Sequence, residues 1–318
     1  MGEKDKIEKL FLDYEDVFAD IINVLLYNGR QVIKPEELVQ ANVISHYKAD
    51  DSIIHEQERD IAKFWVRDQI RHALLGIENQ TTTDNDIALR VMGYDGASYR
   101  GQLLSEHKEP PYPVCTLVLY FGGHHWKNSR SLKERICAND QLKNQWNDYP
   151  VRIFEISFLE EKQVKMFQSD FGIVADYFVK RKKGIDYEGN QQEIKHVDAM
   201  MKFMAVFAGD QEFLKLNFPK GGKVTMCEVV QKIKEKGRIE GRVEGESIGI
   251  RKGRAEGESI GIIKGRRDDI LGLLADTGQV PEYLNRIIMK ETDQKKLKQW
   301  LFTAARSSSI EEFERNIQ

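Results

Sequence analysis

Asp60, Glu78 and Gln80 have the types and spacing to hold a divalent ion on a β-hairpin. Two apolar runs, 60–66 and 70–78, flank the polar break Arg67-Asp68-Gln69, and their aromatic and branched residues favour strands. A turn through Asp68, Gln69 and Ile70, centred on Gln69, sets Asp60 directly across from Glu78. Opposed residues share a face, with Cβ atoms about 4.5–5.5 Å apart. Gln80, two residues beyond Glu78, lies on the same face. Two carboxylates that close repel unless a cation lies between them. Mg²⁺ suits such a pair, since it takes one or two carboxylates, waters and substrate phosphate; Mn²⁺ is an alternative. An ion held there would stabilise charge on a scissile phosphate and help generate hydroxide. An amide at position 80 can orient water but brings no charge.

Ordinary roles exist for the same residues. Asp60 can end a strand, and Glu78 can pair with Arg71 or Arg90. A two-residue turn would put Ile77 opposite Asp60 and undo the constellation. A helix over 60–75 also fits the imperfect alternation. Arg90 and Tyr94, four apart, share a helix face; there Arg90 can hold phosphate, orient Glu78 or make a plain ion pair. Lys180, Arg181, Lys182 and Lys183 form a compact basic run, either a phosphate-backbone contact or a solvated helix end. His124 and His125 are adjacent, with no evident third ligand, and read as loop residues. His196 beside Asp198 is weaker still.

These residues need a scaffold. Apolar spacing predicts a helix over 7–27, ended by Asn28-Gly29, a short helix start at Pro35, and a loop at 50–52. Thr81, Thr82, Thr83 and Asp84 offer caps for a helix over about 84–105. The run 114–121 is nearly all apolar, as a strand buried on both faces should be, and 151–157 reads as a second strand. Helical stretches are expected over 160–171, 172–183 and 190–208. This mixture makes residues 1–210 an α/β or α+β domain.

A different pattern follows. Glycine recurs at every fourth position from Gly237 to Gly265, and 245–256 nearly repeats as 257–268. Residues 231–267 carry eleven Lys or Arg and six Glu, a local balance of +5. Each interior glycine costs a helix about 0.8–1.0 kcal/mol relative to alanine, so a helix here needs a partner. Two readings stand for the stretch within 211–267: a helical arm that joins copies of the chain, favoured, or a basic flexible linker along DNA. Residues 268–318 read as a small helical module, with helices over 269–276 and 281–304 and another from Ser309.

The bulk composition excludes several classes. Of 318 residues, 41% are hydrophobic and 31% charged, which is a globular composition. No apolar run approaches the roughly 18 residues of a membrane span. The first residues hold no apolar signal core, so a cytoplasmic location is expected. Cys115, Cys137 and Cys227 are scattered, against a zinc knuckle or disulfide framework. The net charge of −3 means that any nucleic-acid binding must rest on a local positive surface.

The ordered set Asp60, Glu78-Asn79-Gln80, Arg90 and Tyr94 resembles the Rpn family of recombination-promoting nucleases and putative transposases, within the PD-(D/E)XK nuclease superfamily. The stretches 18–20, 75–81, 89–94, 117–122, 168–171 and 310–313 share in the likeness. The resemblance implies a mixed sheet flanked by helices and followed by a C-terminal helical extension. It implies Mg²⁺-dependent hydrolysis of DNA, associated with recombination or transposition. Asp60 and Glu78 would be metal ligands and Asp20 an additional acidic ligand. Gln80 would stand where the superfamily has lysine, Arg59 where it has proline, and Arg90, Tyr94, Lys180 and Arg181 would meet substrate. The competing expectation is a non-catalytic oligomeric DNA-binding or scaffold protein with a decayed site.

Overall fold

The computed structural model describes residues 9–48, 54–105, 110–137, 139, 141–142, 145–218 and 223–317. The expected loop at 50–52 lies outside them. The chain divides into two units, Met1–Glu235 and Lys236–Gln318. Their boundary falls inside the segment expected over 211–267.

The helix expected over 7–27 is broken at Asp13-Tyr14, with a helical turn at 9–12 before the helix α1 (Glu15–Tyr27), and the first unit is built on a mixed five-stranded sheet. In chain order its strands are β1 (Leu38–Gln40), β4 (Ile61–Arg67), β5 (Ile70–Gln80), β6 (Val114–Tyr120) and β7 (Arg152–Glu155), and they lie side by side in that same order. A separate hairpin pairs β2 (Ile44–Lys48) with β3 (Ile54–Glu58). β4 and β5 are antiparallel, while β5, β6 and β7 run parallel. Parallel neighbours need a crossover, and α2 (Ile87–Leu104) is the one that joins β5 to β6.

Helices cover both faces, which explains the continuous apolar run of β6. Ile77, Leu117, Leu119 and Phe121 pack on α1, α3 (Phe171–Lys182) and α4 (Val197–Phe207). Val118 and Tyr120 face the other way, onto Ile87, Ala88 and Val91 of α2. Glu78 and Gln80, in register with Val118 and Tyr120, therefore lie on the α2 face.

The hairpin reaches its register by an unforeseen route. Its turn has two residues, Asp68 and Gln69, both left-handed at φ 52 and 64. Paired positive φ values make this a type I′ turn, whose twist suits antiparallel strands. Such a turn alone would misplace the site. A β-bulge corrects it: Val66 pairs with Arg71 and Trp65 with Ala73, so His72 is the extra residue. Ile61 then pairs with Ile77, and the next outward step sets Asp60 across from Glu78.

Several helices are shorter than their periodicity suggests, because carboxylates hold the intervening backbone. The helix expected over 160–171 shrinks to Glu161–Val164, since Asp20 accepts the N–H groups of Gln168 and Ser169. The one expected over 190–208 starts at Val197, after Asp170 takes the Lys195 and His196 N–H groups. The strand expected over 151–157 ends at Glu155 and turns into a 3₁₀ segment.

In the second unit, α5 (Met226–Ala275), which begins in the first, is continuous through every glycine of the ladder. An added Cβ at any glycine from Gly237 to Gly265 meets no atom within 4 Å among the described residues. Beyond it, α6 (Glu282–Lys290), α7 (Gln294–Ala304) and α8 (Ile310–Ile317) enclose Leu284, Ile288, Leu297, Trp300 and Phe313 together with Ile270 and Leu274. The helix expected over 281–304 breaks at 291–293, where Asp293 caps α7 by accepting from Lys295 and Lys296. Among the described residues no helix is long and apolar enough to cross a membrane.

Candidate active site

Asp60, Glu78, Gln80, Arg90 and Tyr94 converge at the outer end of the hairpin, where β5 meets α2. Asp60 accepts the Asn79 backbone N–H at 2.7 Å, so its carboxylate closes the β4–β5 ladder. Gln80 Nε2 donates to Glu78 Oε1 at 3.4 Å. Arg90 bonds the same oxygen, donates to Asp84 Oδ2 at 2.8 Å and reaches Tyr94 Oη at 3.3 Å. Two ordinary roles are thus real: Asp60 ends a strand, and Glu78 pairs with Arg90.

They do not account for the whole arrangement. Glu78 is 2% exposed, and its Oε2 has no hydrogen-bond partner among the described residues. A buried carboxylate oxygen left bare is costly. Burial, and then the Asp60 carboxylate, push the Glu78 carboxyl up to about 8 against the pull of Arg90. The donors are hard oxygens, two carboxylates and an amide, which suit Mg²⁺ or Mn²⁺.

This environment couples Glu78 to folding. Its carboxyl titrates near 4.5 when solvated and near 8 in the fold. The folded chain holds a proton that the unfolded chain has released, so the stabilisation is complete below about pH 4.5 and is lost as pH rises through about 8. Without metal, the melting temperature of the native chain is expected to fall between about pH 5 and pH 8.5 more steeply than that of Glu78→Gln. Parallel profiles for the two proteins would contradict the buried carboxyl.

Asp20 is positioned differently. It is buried, and its Oδ2 accepts from the Gln168 and Ser169 N–H groups and the Ser169 hydroxyl, each within 2.8 Å. It does not join Asp60 and Glu78 in a triad: the described residues hold no cluster of three His, Cys, Asp or Glu suited to a metal. Lys180 pairs with Asp176 at 2.9 Å, and Arg181 donates to the Ala208 carbonyl at the end of α4. Neither meets the hairpin residues in these bonds.

A buried network that the sequence did not announce stands behind the site. Arg59, 3% exposed, donates to Asp95 of α2 at 3.0 Å. Asp95 also accepts from the Thr116 hydroxyl at 2.6 Å and the Tyr149 hydroxyl at 2.5 Å. Arg59 ties the backbone beside Asp60 to the helix that carries Arg90 and Tyr94. Gly76 leaves room for it, since a Cβ there would stand 2.7 Å from Arg59 Cδ. Asp84, the anchor of Arg90, reads in the sequence only as a helix cap.

Residues 72–197 match a family model described as "Putative transposase, YhgA-like". This segment, 126 of the chain's 318 residues, is similar to that family. The match bears out the likeness drawn from 75–81 and 89–94, and the mixed sheet flanked by helices agrees with the expected fold. It contains Glu78, Gln80, Arg90, Tyr94, Asp95 and the basic run at 180–183, and it begins after Asp60. The description of that family is of putative transposases, which points to transposition-related function. Comparisons with curated proteins and with solved structures give no match.

Proposed function

We propose that the chain is a metal-dependent DNA endonuclease of the PD-(D/E)XK type, acting in transposition or recombination. One observation carries the reading: Glu78 is a buried carboxylate beside Asp60, with an oxygen that no described group satisfies. Asp60 and Glu78 would hold Mg²⁺ or Mn²⁺. An ion bound there would supply Lewis-acid stabilisation of phosphate charge and a more acidic bound water. Gln80, fixed on Glu78, orients water or phosphate through its amide. Arg90 keeps Glu78 in place, and its guanidinium faces the same edge as Tyr94. The test is plasmid cleavage with Mg²⁺ or Mn²⁺, with EDTA as control. Nicking by the native chain that EDTA stops and that the Asp60→Asn/Glu78→Gln variant lacks supports an enzyme. Equal cutting by both proteins returns the chain to a DNA-binding or scaffold role.

The proposal includes a second copy of the chain, joined along α5. The eight ladder glycines cost that helix about 7 kcal/mol relative to alanine, and no described atom lies over them. A step of four residues turns about 40° right-handed around the helix, so the stripe completes a circuit in roughly 54 Å at 1.5 Å per residue. Two helices about 7 Å apart, closer than the usual 8–10 Å, would follow that stripe by crossing near 40°. Right-handed pairs with small residues at the contact cross at that angle.

Charge selects the direction. An antiparallel copy reversed about Ser247 sets Gly237, Gly241 and Gly245 against Gly257, Gly253 and Gly249. The same register matches Lys236 with Glu258, Arg238 with Glu256 and Glu240 with Arg254, and only Arg242 with Lys252 is like-charged between 236 and 258. Sedimentation equilibrium of the full chain should give the mass of two copies, falling to one in Gly245→Leu/Gly249→Leu. Ile250→Leu, at a site 70% exposed, should keep the larger mass. A mass unaffected by the two leucines would remove the paired arm.

A further inference from the structure

Gln80, Tyr120 and Glu155 form one row across β5, β6 and β7, on the face that carries Glu78. The row leads from the candidate metal pair to a group of fixed cations. Glu155 accepts from His125 Nδ1 at 2.7 Å and from Arg130. His125 is 70% exposed and stacks on Phe158, with ring centres 3.8 Å apart. Lys182 Nζ stands over the same Phe158 ring at 5.2 Å. Phe158 ends the 3₁₀ segment Ile156–Phe158 that follows β7, so the aromatic stands between His125 and Lys182 at the sheet's carboxyl edge.

Beyond it lies a cleft of about 570 Å³, lined by Thr81, Gly122, Gly123, Ser157, Arg181 and Lys182 among others. Thr81, the next residue after Gln80, brings the chain of the candidate site to the rim of this cleft, whose Phe121, Phe178 and Phe207 wall lies on the other face of the sheet. Ligands of parallel sheets characteristically lie outside the carboxyl ends of the strands. Arg181 is held by the Ala208 carbonyl and Arg130 by Glu155. A guanidinium has five N–H donors in a rigid fork, so an arginine anchored by one of them still presents others. The net charge of −3 asked for a local positive surface, and this edge supplies one.

We propose that Arg130, Arg181 and Lys182, with the His125–Phe158 stack between them, form a phosphate-binding track that holds the DNA backbone outside the cleavage site. The proposal rests on the endonuclease reading for its choice of ligand. Binding follows from fixed cations facing a polyanion, and it is independent of base sequence.

The experiment is fluorescence anisotropy of the full-length protein with a labelled 30-base-pair duplex, in EDTA, over a salt series. Each cation taken away from a phosphate lowers the slope of log K against log salt by about 0.9. Arg130→Gln/Lys182→Gln is expected to weaken binding roughly tenfold and to flatten that slope by about 2. Lys295→Gln/Lys298→Gln removes the same charge from exposed positions on α7 and should leave the slope unchanged. Circular dichroism reports whether each variant is folded. A track variant that binds with the parent's affinity and slope overturns the inference, as does a control variant that loses as much. If either happens while cleavage still requires Glu78, the track fails and the endonuclease stands. A parent that neither binds nor cuts the duplex sinks both.

Discussion

Glutamine at position 78 is expected to lower metal-dependent DNA cleavage by about 10³-fold while making the metal-free fold more stable. A bound divalent ion contributes several kcal/mol to stabilising charge at phosphate, and each 1.36 kcal/mol is tenfold in rate. Glutamine keeps the shape of the side chain and can still accept from Arg90, so the loss is one of charge. The stability change has the opposite sign. Glu78 is buried beside Asp60, and ionising it costs free energy. Removing the ionisable group should raise stability by roughly 1–3 kcal/mol above about pH 8, read from urea midpoints. Added Mg²⁺ should stabilise the native chain increasingly as pH rises, because the ion binds the deprotonated pair, and should leave the variant unaffected. A variant that is both inactive and less stable would point to a structural role for Glu78.

Asp95→Ala should be the most damaging single change to the scaffold. It removes the acceptor for Arg59, Thr116 and Tyr149 at once. Breaking a buried ion pair on one side costs about 3–5 kcal/mol, because the remaining charge is left without compensation. For a unit of this size that corresponds to a fall of roughly 10 °C in melting temperature. Replacing both partners by apolar residues of similar volume is often neutral. The double variant Arg59→Met/Asp95→Leu should therefore recover most of the loss in stability. Its cleavage rate should stay low, because Arg59 no longer fixes the backbone next to Asp60. Full recovery of both properties would show that the network does not position the site. An Asp95→Ala protein with an unchanged melting temperature would show that the pair carries little stability.

The hairpin was legible because side-chain alternation and a short polar break determine a register to within one residue. The register of Asp60 and Glu78 came out as expected, but from two compensating features, a two-residue turn and the bulge at His72. Pattern alone does not show a bulge, since an extra residue leaves the apolar count unchanged. Glu78 and Arg90 are close in sequence and on predictable faces, so their meeting could be anticipated. Arg59 and Asp95 are 36 residues apart on elements whose packing follows from the crossover, and nothing local in either residue signals the bond. Helix lengths failed for a related reason. Asp20 and Asp170 accept backbone N–H groups far along the chain and hold as turns residues whose periodicity is helical. The glycine ladder is the reverse case. Its period was plain in the sequence, and the helix Met226–Ala275 runs continuously through it, while the joining of copies along it belongs to the proposal.

Mn²⁺ binding to the full-length chain tests the central claim most directly, with electron paramagnetic resonance counting free ion as the protein is titrated. The expected result is one site per chain that tightens as pH rises through about 8, as Glu78 gives up its proton. Asp60→Asn and Glu78→Gln should each abolish it, and Asp20→Asn, whose carboxylate serves the turn at 168–169, should not. Equal binding by the native chain and Glu78→Gln, or no binding by either, would contradict a metal site at this hairpin.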